Sequence, residues 1–153
     1  PYAVDGLRAL EFWAADFFAV FPHDDVHANL YKINAGELAS ANLMLLGEGP
    51  CLTDQSLTVC HFDRAQMKSS FSDASLNTLI QMALANMGTT LVPEMALDQL
   101  HLQNQNAVAV PLAEKGPHRH IAFVTRLNYA RVDDVNLLGQ LFKQAFEEAD
   151  HKK

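Results

Sequence analysis

Two cysteines, one tryptophan and eleven basic residues stand in a chain of 153, and each shortage narrows what the chain can be. In a reducing cytoplasm two cysteines are expected as thiols, so a disulfide between them is an event rather than a fixture. They also lack the close Cys-x-x-Cys spacing and further ligands that a zinc site wants, and no metal is expected. Eleven Lys and Arg against eighteen Asp and Glu leave a formal net charge of −7. The basic residues are isolated, so this chain by itself has no stripe with which to grip a phosphate backbone. No apolar run approaches the length of a membrane span, and the N-terminus lacks the charged-then-apolar layout of a signal peptide. A cytoplasmic chain with no membrane contact is the expectation. There is no Gly-rich phosphate loop, no G-x-S-x-G elbow and no pair of catalytic carboxylates, so no cofactor and no enzyme activity are expected. The chain opens on Pro1-Tyr2 without an initiator Met, which suggests a piece of something longer.

What is present is a globular composition, 49% hydrophobic and 19% charged, long enough for one sizeable core. Leu7 to Trp13 and Asp16 to Phe21 read as strands, the second rich in Phe and closed by Pro22. A polar loop follows from His23 to Asn29. Asn34 to Ser40 suits a short helix, and Asn42 to Leu46 a brief buried strand ended by glycines. Met67 to Phe71 is a further strand candidate. Asp73 or Ser75 can cap a helix whose Leu76, Leu79, Ile80, Ala83 and Leu84 share a face, with Gly88 as its stop. Thr89 to Val92, Ala107 to Leu112 and Arg119 to Arg126 read as strands, and Pro93 opens a short helix to Leu97. Val132, Val135, Leu138, Leu141, Phe142, Ala145 and Phe146 make one apolar face of a long terminal helix. Strands and helices alternate, which predicts an α/β sheet with helical crossovers.

Both thiols lie in Gly49-Pro50-Cys51-Leu52-Thr53-Asp54-Gln55-Ser56-Leu57-Thr58-Val59-Cys60. Gly49-Pro50 looks like a helix entry, with Leu52, Leu57 and Val59 as its apolar residues. If the segment is helical, the nine-residue separation amounts to roughly 13 to 14 Å along the axis and about 180° of rotation. A disulfide needs Cα atoms no more than about 7 Å apart, so oxidation would have to dismantle that helix. The spacing suits a switch. It equally allows two small buried residues, which free cysteines most often are. Cys51 sits where a helix would begin, so backbone N–H groups favour its thiolate. Glu48 and Asp54 oppose that charge, although Asp54 could instead hold a water or, when protonated, donate to a leaving hydroxide.

Gly49-x-Cys51-Leu52-x-Asp54-Gln55 followed by Cys60 resembles the sensing segment of the OxyR-type, hydrogen-peroxide-responsive members of the LysR-type transcriptional regulators. The likeness continues through Asp5 to Trp13, Ser75-Leu76-x-Thr78-Leu79, Gly88-x-Thr90-Leu91-x-Pro93 and Ile121 to Arg126. The resemblance implies the two-lobed α/β fold similar to periplasmic binding proteins. It implies that Cys51 is the peroxidatic thiol, oxidised to a sulfenic acid, and Cys60 the resolving thiol that closes a disulfide, with Asp54 as a possible assistant. It further implies hydrogen peroxide as the signal, a cellular dithiol as reductant, and pairing of regulatory domains as a homodimer or homotetramer. Promoter DNA and RNA polymerase would be met only through the full-length protein. Residues 1–15 would then belong to a partial first regulatory subdomain, 16–117 to the second subdomain with the redox cysteines, and 118–153 to a return strand and terminal helix of the first. The DNA-binding domain would lie outside this chain, and the terminal helix would expose apolar surface. Pro50, Thr53 and Ser72 depart from the family pattern by removing local basic or imidazole side chains.

Two further readings carry other functions. One is a LysR-type domain that binds a small organic effector between its lobes without redox chemistry. The other is a thiol peroxidase using the same two cysteines, for which no apparatus beyond the thiol is evident. His23-Asp24-Asp25-Val26-His27 has the outline of a zinc motif, yet Pro22 and the acidic pair favour a surface loop. His118-Arg119-His120 reads as solvated or hinge-lining, and Met82, Met87 and Met95 as core filler.

Overall fold

The computed structural model describes residues 6–46, 57–60, 70–71, 74–100 and 106–150. Its strands are β1 (Leu7–Ala15), β2 (Phe17–Pro22), β3 (Leu45–Leu46), β4 (Ser70–Phe71), β5 (Thr90–Pro93), β6 (Ala107–Pro111) and β7 (Arg119–Arg126). The chain divides into two compact units, one of Ala15–Arg119 and the other of Pro1–Ala14 with His120–Lys153.

In the first unit β2 is the central strand, antiparallel to β5 on one side and to β6 on the other. Its sequence FFAVFP shows no polar alternation because both of its faces are covered. Phe17, Ala19 and Phe21 point to one face, where Leu91, Val110 and Leu112 meet them. Val20 points to the other and packs with Ile80, Val92 and Ala107. Ile80 comes from a helix, Leu76–Leu84, whose N-cap Ser75 accepts from the Thr78 N–H and whose Leu79, Ile80 and Ala83 are buried. That is the helical spacing read from the sequence. A shorter helix, α1 (Ala35–Ser40), starts with a capping box between Asn34 and Glu37.

The expected crossovers hold only around the central strand. β3 pairs parallel with β4, and parallel bridges join Leu43 to Thr89 and Ile33 to Leu112. β2 itself runs opposite to both neighbours, so the sheet is mixed. The helix before β5 also ends earlier than Gly88 suggested, at Leu84, and Asn86 takes the left-handed turn at φ 58°. Gly88, at φ 153°, serves the bridge instead: Thr89 donates to the Asn42 carbonyl, and a Cβ at 88 would collide with that same oxygen.

In the second unit β1 and β7 form a two-stranded sheet against which the terminal helix, Val132–Asp150, lays its aromatic residues. Phe12 stacks on Phe123 at 4.5 Å between ring centroids and meets Phe142 at 5.7 Å, while Trp13 meets Phe146 at 4.9 Å. Gly139 is buried beneath Phe12. The helix leaves Leu137, Leu138 and Leu141 exposed, Leu137 by 57%, in line with the apolar exposure that the resemblance implied for it. Met87 and Met95 are exposed too, against expectation, whereas Met82 packs beside Met44 and Leu79. No described helix is long and apolar enough to cross a membrane.

The two glycines separate close approach from helix entropy. Gly88→Ala is expected to lower the free energy of unfolding by about 2 kcal/mol, from a collision in a backbone region that L-residues avoid. Gly139→Ala, whose Cβ would stand 3.4 Å from that of Phe12, is expected to be neutral or to gain up to about 1 kcal/mol from helix propensity. Urea titrations of both variants check the contrast.

Candidate functional site

Residues 57–60 are helical, and this turn brings Leu57 and Cys60 into the core. Cys60 is 2% exposed and packs in the cluster that includes Phe17, Ile33, Leu38, Val110 and Leu112. It is a free thiol. Cys51 and Asp54 lie outside the described residues, as do Pro50, Thr53 and Ser72, so the structure places Cys60 alone of the three predicted site residues.

Burial pushes the Cys60 thiol up from 9.0 to about 12, with the Glu114 carboxylate adding to the rise. Desolvation disfavours the thiolate, and a nearby negative charge disfavours it further. Such a sulfur is a neutral, unreactive thiol at ordinary pH. Glu114 follows the last strand of the sheet, and its two oxygens have different surroundings. Oε1 accepts from the Ala35 N–H at 2.7 Å, at the first turn of α1, while Oε2 is buried with no hydrogen-bond partner among the described residues. Sequence reading passed over Glu114. Its one trace is a lone carboxylate directly after the apolar run Ala107 to Leu112.

His118 was read as solvated or hinge-lining, and the solvated half of that reading is overturned. The residue is buried, its ring stacked nearly parallel on Phe17. Nε2 donates to the Glu114 carbonyl at 3.0 Å, which leaves Nδ1 free to accept from the Phe17 N–H at 3.2 Å. These bonds assign the hydrogen to Nε2. The Asp16 Oδ1 lies 3.3 Å from Nδ1 and has no hydrogen-bond partner among the described residues. His120, two residues on, is exposed beside Glu11. The His23 to His27 stretch is a structural loop: Asp25 caps a 3₁₀ turn, accepts from the His27 N–H, and meets His27 Nδ1 at 2.7 Å. No group of metal-ligating side chains converges among the described residues.

The chain forms two compact units, each with its own sheet and helix, and passes from one to the other and back. The chain belongs to the LysR substrate binding domain family, whose model matches residues 1–147. It is similar to the HTH-type transcriptional regulator EstR of Acinetobacter baylyi, 28% identical over 94% of this chain and 48% of the relative. It is also similar to a probable hydrogen peroxide-inducible genes activator of Mycobacterium avium, 31% identical over 92% of this chain and 47% of the relative. The chain thus spans about half the length of the curated relatives it matches. Among solved structures, the reduced regulatory domain of OxyR2 from Vibrio vulnificus superposes with a TM-score of 0.79 at 29% identity, covering 94% of this chain and 68% of that one. The fold is therefore that of OxyR regulatory domains, periplasmic-binding-protein-like, and the family is one of transcription regulators.

Two outcomes follow for Cys60. In a Cys51→Ser background, iodoacetamide should label Cys60 on the order of tenfold more slowly in the folded chain than in denaturant at about pH 8, because the folded thiol is enclosed and protonated. Stability should also depend on pH. The folded thiol holds its proton more tightly than the unfolded one, so its contribution is complete below the unfolded value of 9.0 and is lost as pH rises toward about 12. Urea midpoints should fall over that range by more in the chain with Cys60 than in Cys60→Ala.

Proposed function

We propose that this chain is the peroxide-sensing regulatory domain of a LysR-type transcriptional regulator, switched by a reversible disulfide between Cys51 and Cys60. The observation that carries the reading is the position of Cys60: a protonated thiol inside the core, on a helical turn, nine residues from the chain's other thiol. Were the helical turn at 57–60 to run back to Cys51, the two thiols would lie roughly 13 to 14 Å apart along its axis, and closing the bond would refold the segment between them. Relatives named hydrogen peroxide-inducible genes activators support the choice of oxidant.

The chemistry balances with peroxide as oxidant. The Cys51 thiolate attacks one peroxide oxygen, the O–O bond breaks, and the departing hydroxide takes a proton to become water. Asp54, when protonated, is a candidate donor of that proton, and in its charged form it could instead hold a water. Cys51 is then a sulfenic acid. The Cys60 sulfur attacks the Cys51 sulfur, the S–O bond breaks, and the second hydroxide leaves as water with the proton that Cys60 gives up. A cellular dithiol reverses the step by thiol exchange. The unit Ala15–Arg119 would be the second regulatory subdomain, and the other unit part of the first. Homodimer or homotetramer contacts, promoter DNA and RNA polymerase belong to the full-length protein.

A second reading rests on the similarity to EstR, whose name carries no peroxide. In it the same fold binds a small organic effector and the cysteines are structural. Treating the reduced chain with a slight excess of hydrogen peroxide and mapping thiols by mass spectrometry separates the two. A Cys51 to Cys60 bond that is lost in Cys51→Ser is expected. Two intact thiols, with a response unchanged in Cys51→Ser, would leave the effector reading standing.

A further inference from the structure

We propose that His118 and Asp16 form a proton-operated latch on the first rung of β2: with Nδ1 bare the imidazole holds the Phe17 N–H, and with Nδ1 protonated it pairs with the Asp16 carboxylate and releases that N–H. The inference is independent of the redox reading. In the structure two acceptors, His118 Nδ1 and Asp16 Oδ1, face each other across 3.3 Å. Nδ1 is occupied by the Phe17 N–H at 3.2 Å, whereas Oδ1 is buried and has no hydrogen-bond partner among the described residues. That oxygen lacks a donor, and a proton on Nδ1 would supply one. The surroundings hold both groups in place. The Asp16 carbonyl accepts from the Glu94 N–H at 2.9 Å, and Gly116 leaves room for the carboxylate, since a Cβ there would stand 2.2 Å from Oδ1. The ring is held through its other nitrogen by the Glu114 carbonyl at 3.0 Å and stacks on Phe17.

The charged groups on the surrounding elements are Asp16 on the link between β1 and β2, Glu94 after β5, and Glu114, Lys115 and Arg119 on the ring's own segment. Of these, Asp16 meets the imidazole at ion-pair distance, and Glu114 directs Oε1 to the Ala35 N–H. Protonation exchanges one unmet group for another. The carboxylate gains a charge-assisted bond, roughly twice as strong as a neutral one, while the Phe17 N–H loses its acceptor. Imidazole chemistry makes such an exchange available between about pH 5 and 8. Ala15 and Arg119 are the residues at which the chain enters and leaves this unit, and the His118 N–H donates to the Ala15 carbonyl at 3.2 Å. The latch therefore acts where the entering and leaving segments are tied to each other.

The test follows the His118 ring nitrogens by NMR, together with hydrogen exchange at the Phe17 amide, from about pH 8 to 5. Each exchange rate is divided by the unstructured rate at the same pH. As Nδ1 gains its proton, Phe17 protection is expected to fall on the order of tenfold, while the Ala113 amide, bonded to the Ile33 carbonyl at 2.8 Å, keeps its own. In Asp16→Asn the fall is expected at a pH lower by about half a unit or more. In His118→Gln, whose amide oxygen accepts at every pH in the range, it is expected to vanish. Phe17 protection that stays constant in the unmodified chain, or that falls in step with Ala113, overturns the proposal, as does an unshifted response in Asp16→Asn. Should His118→Gln loosen the fold, the Asp16→Asn comparison decides.

Discussion

The burial of β2 on both faces is the constraint from which the larger unit is built. Six residues, three of them Phe, must be covered above and below, and antiparallel partners must satisfy their backbone on either edge. Complete burial of one Phe contributes roughly 1.5 to 3 kcal/mol, and Phe17 and Phe21 are both enclosed. The helix Leu76–Leu84 covers one face. The helical turn bearing Cys60 helps to cover the other. A cysteine that contributes to the cover of a central strand cannot be withdrawn without opening the core above that strand, so the proposed disulfide would be bound to folding energy.

The polar groups nearest that core form a chain of fixed parts. Glu114 reaches forward to α1 through its side chain and back to His118 through its carbonyl, and His118 reaches the first residue of β2. Two of these links join residues far apart in sequence, and the third spans the four residues from Glu114 to His118. Networks of this kind cost free energy when one member is left unmatched and contribute specificity when all are matched. Here two carboxylate oxygens, one each on Asp16 and Glu114, are the unmatched members.

Much of the scaffold was legible in the sequence because it rests on periodicity. The apolar spacing from Leu76 to Leu84 and the Ser75 cap found their helix, and the Phe-rich run before Pro22 found the central strand. The reversed direction of β2 was not legible, since periodicity reports which face a residue occupies and says nothing of which way the neighbouring strand runs. Gly88 was misread for a related reason: a helix stop and a close backbone approach both select glycine, and only the position of the Asn42 carbonyl tells them apart. The resemblance carried by Cys51 to Cys60 pointed to the family that residues 1–147 match. The hydrogen bonds of Glu114 to Ala35 and His118 had no signature, because a carboxylate takes its partners from the fold around it. The same holds for His118, polar in composition and buried in fact.

One bond at the edge of the sheet has a wider meaning. The N–H that begins β2 is received by an imidazole nitrogen instead of a peptide carbonyl. A carbonyl accepts under all ordinary conditions, whereas this nitrogen accepts only in one of the ring's tautomers. The first rung of the central strand therefore depends on which ring nitrogen carries the hydrogen, and the bond from Nε2 to the Glu114 carbonyl is what fixes that choice.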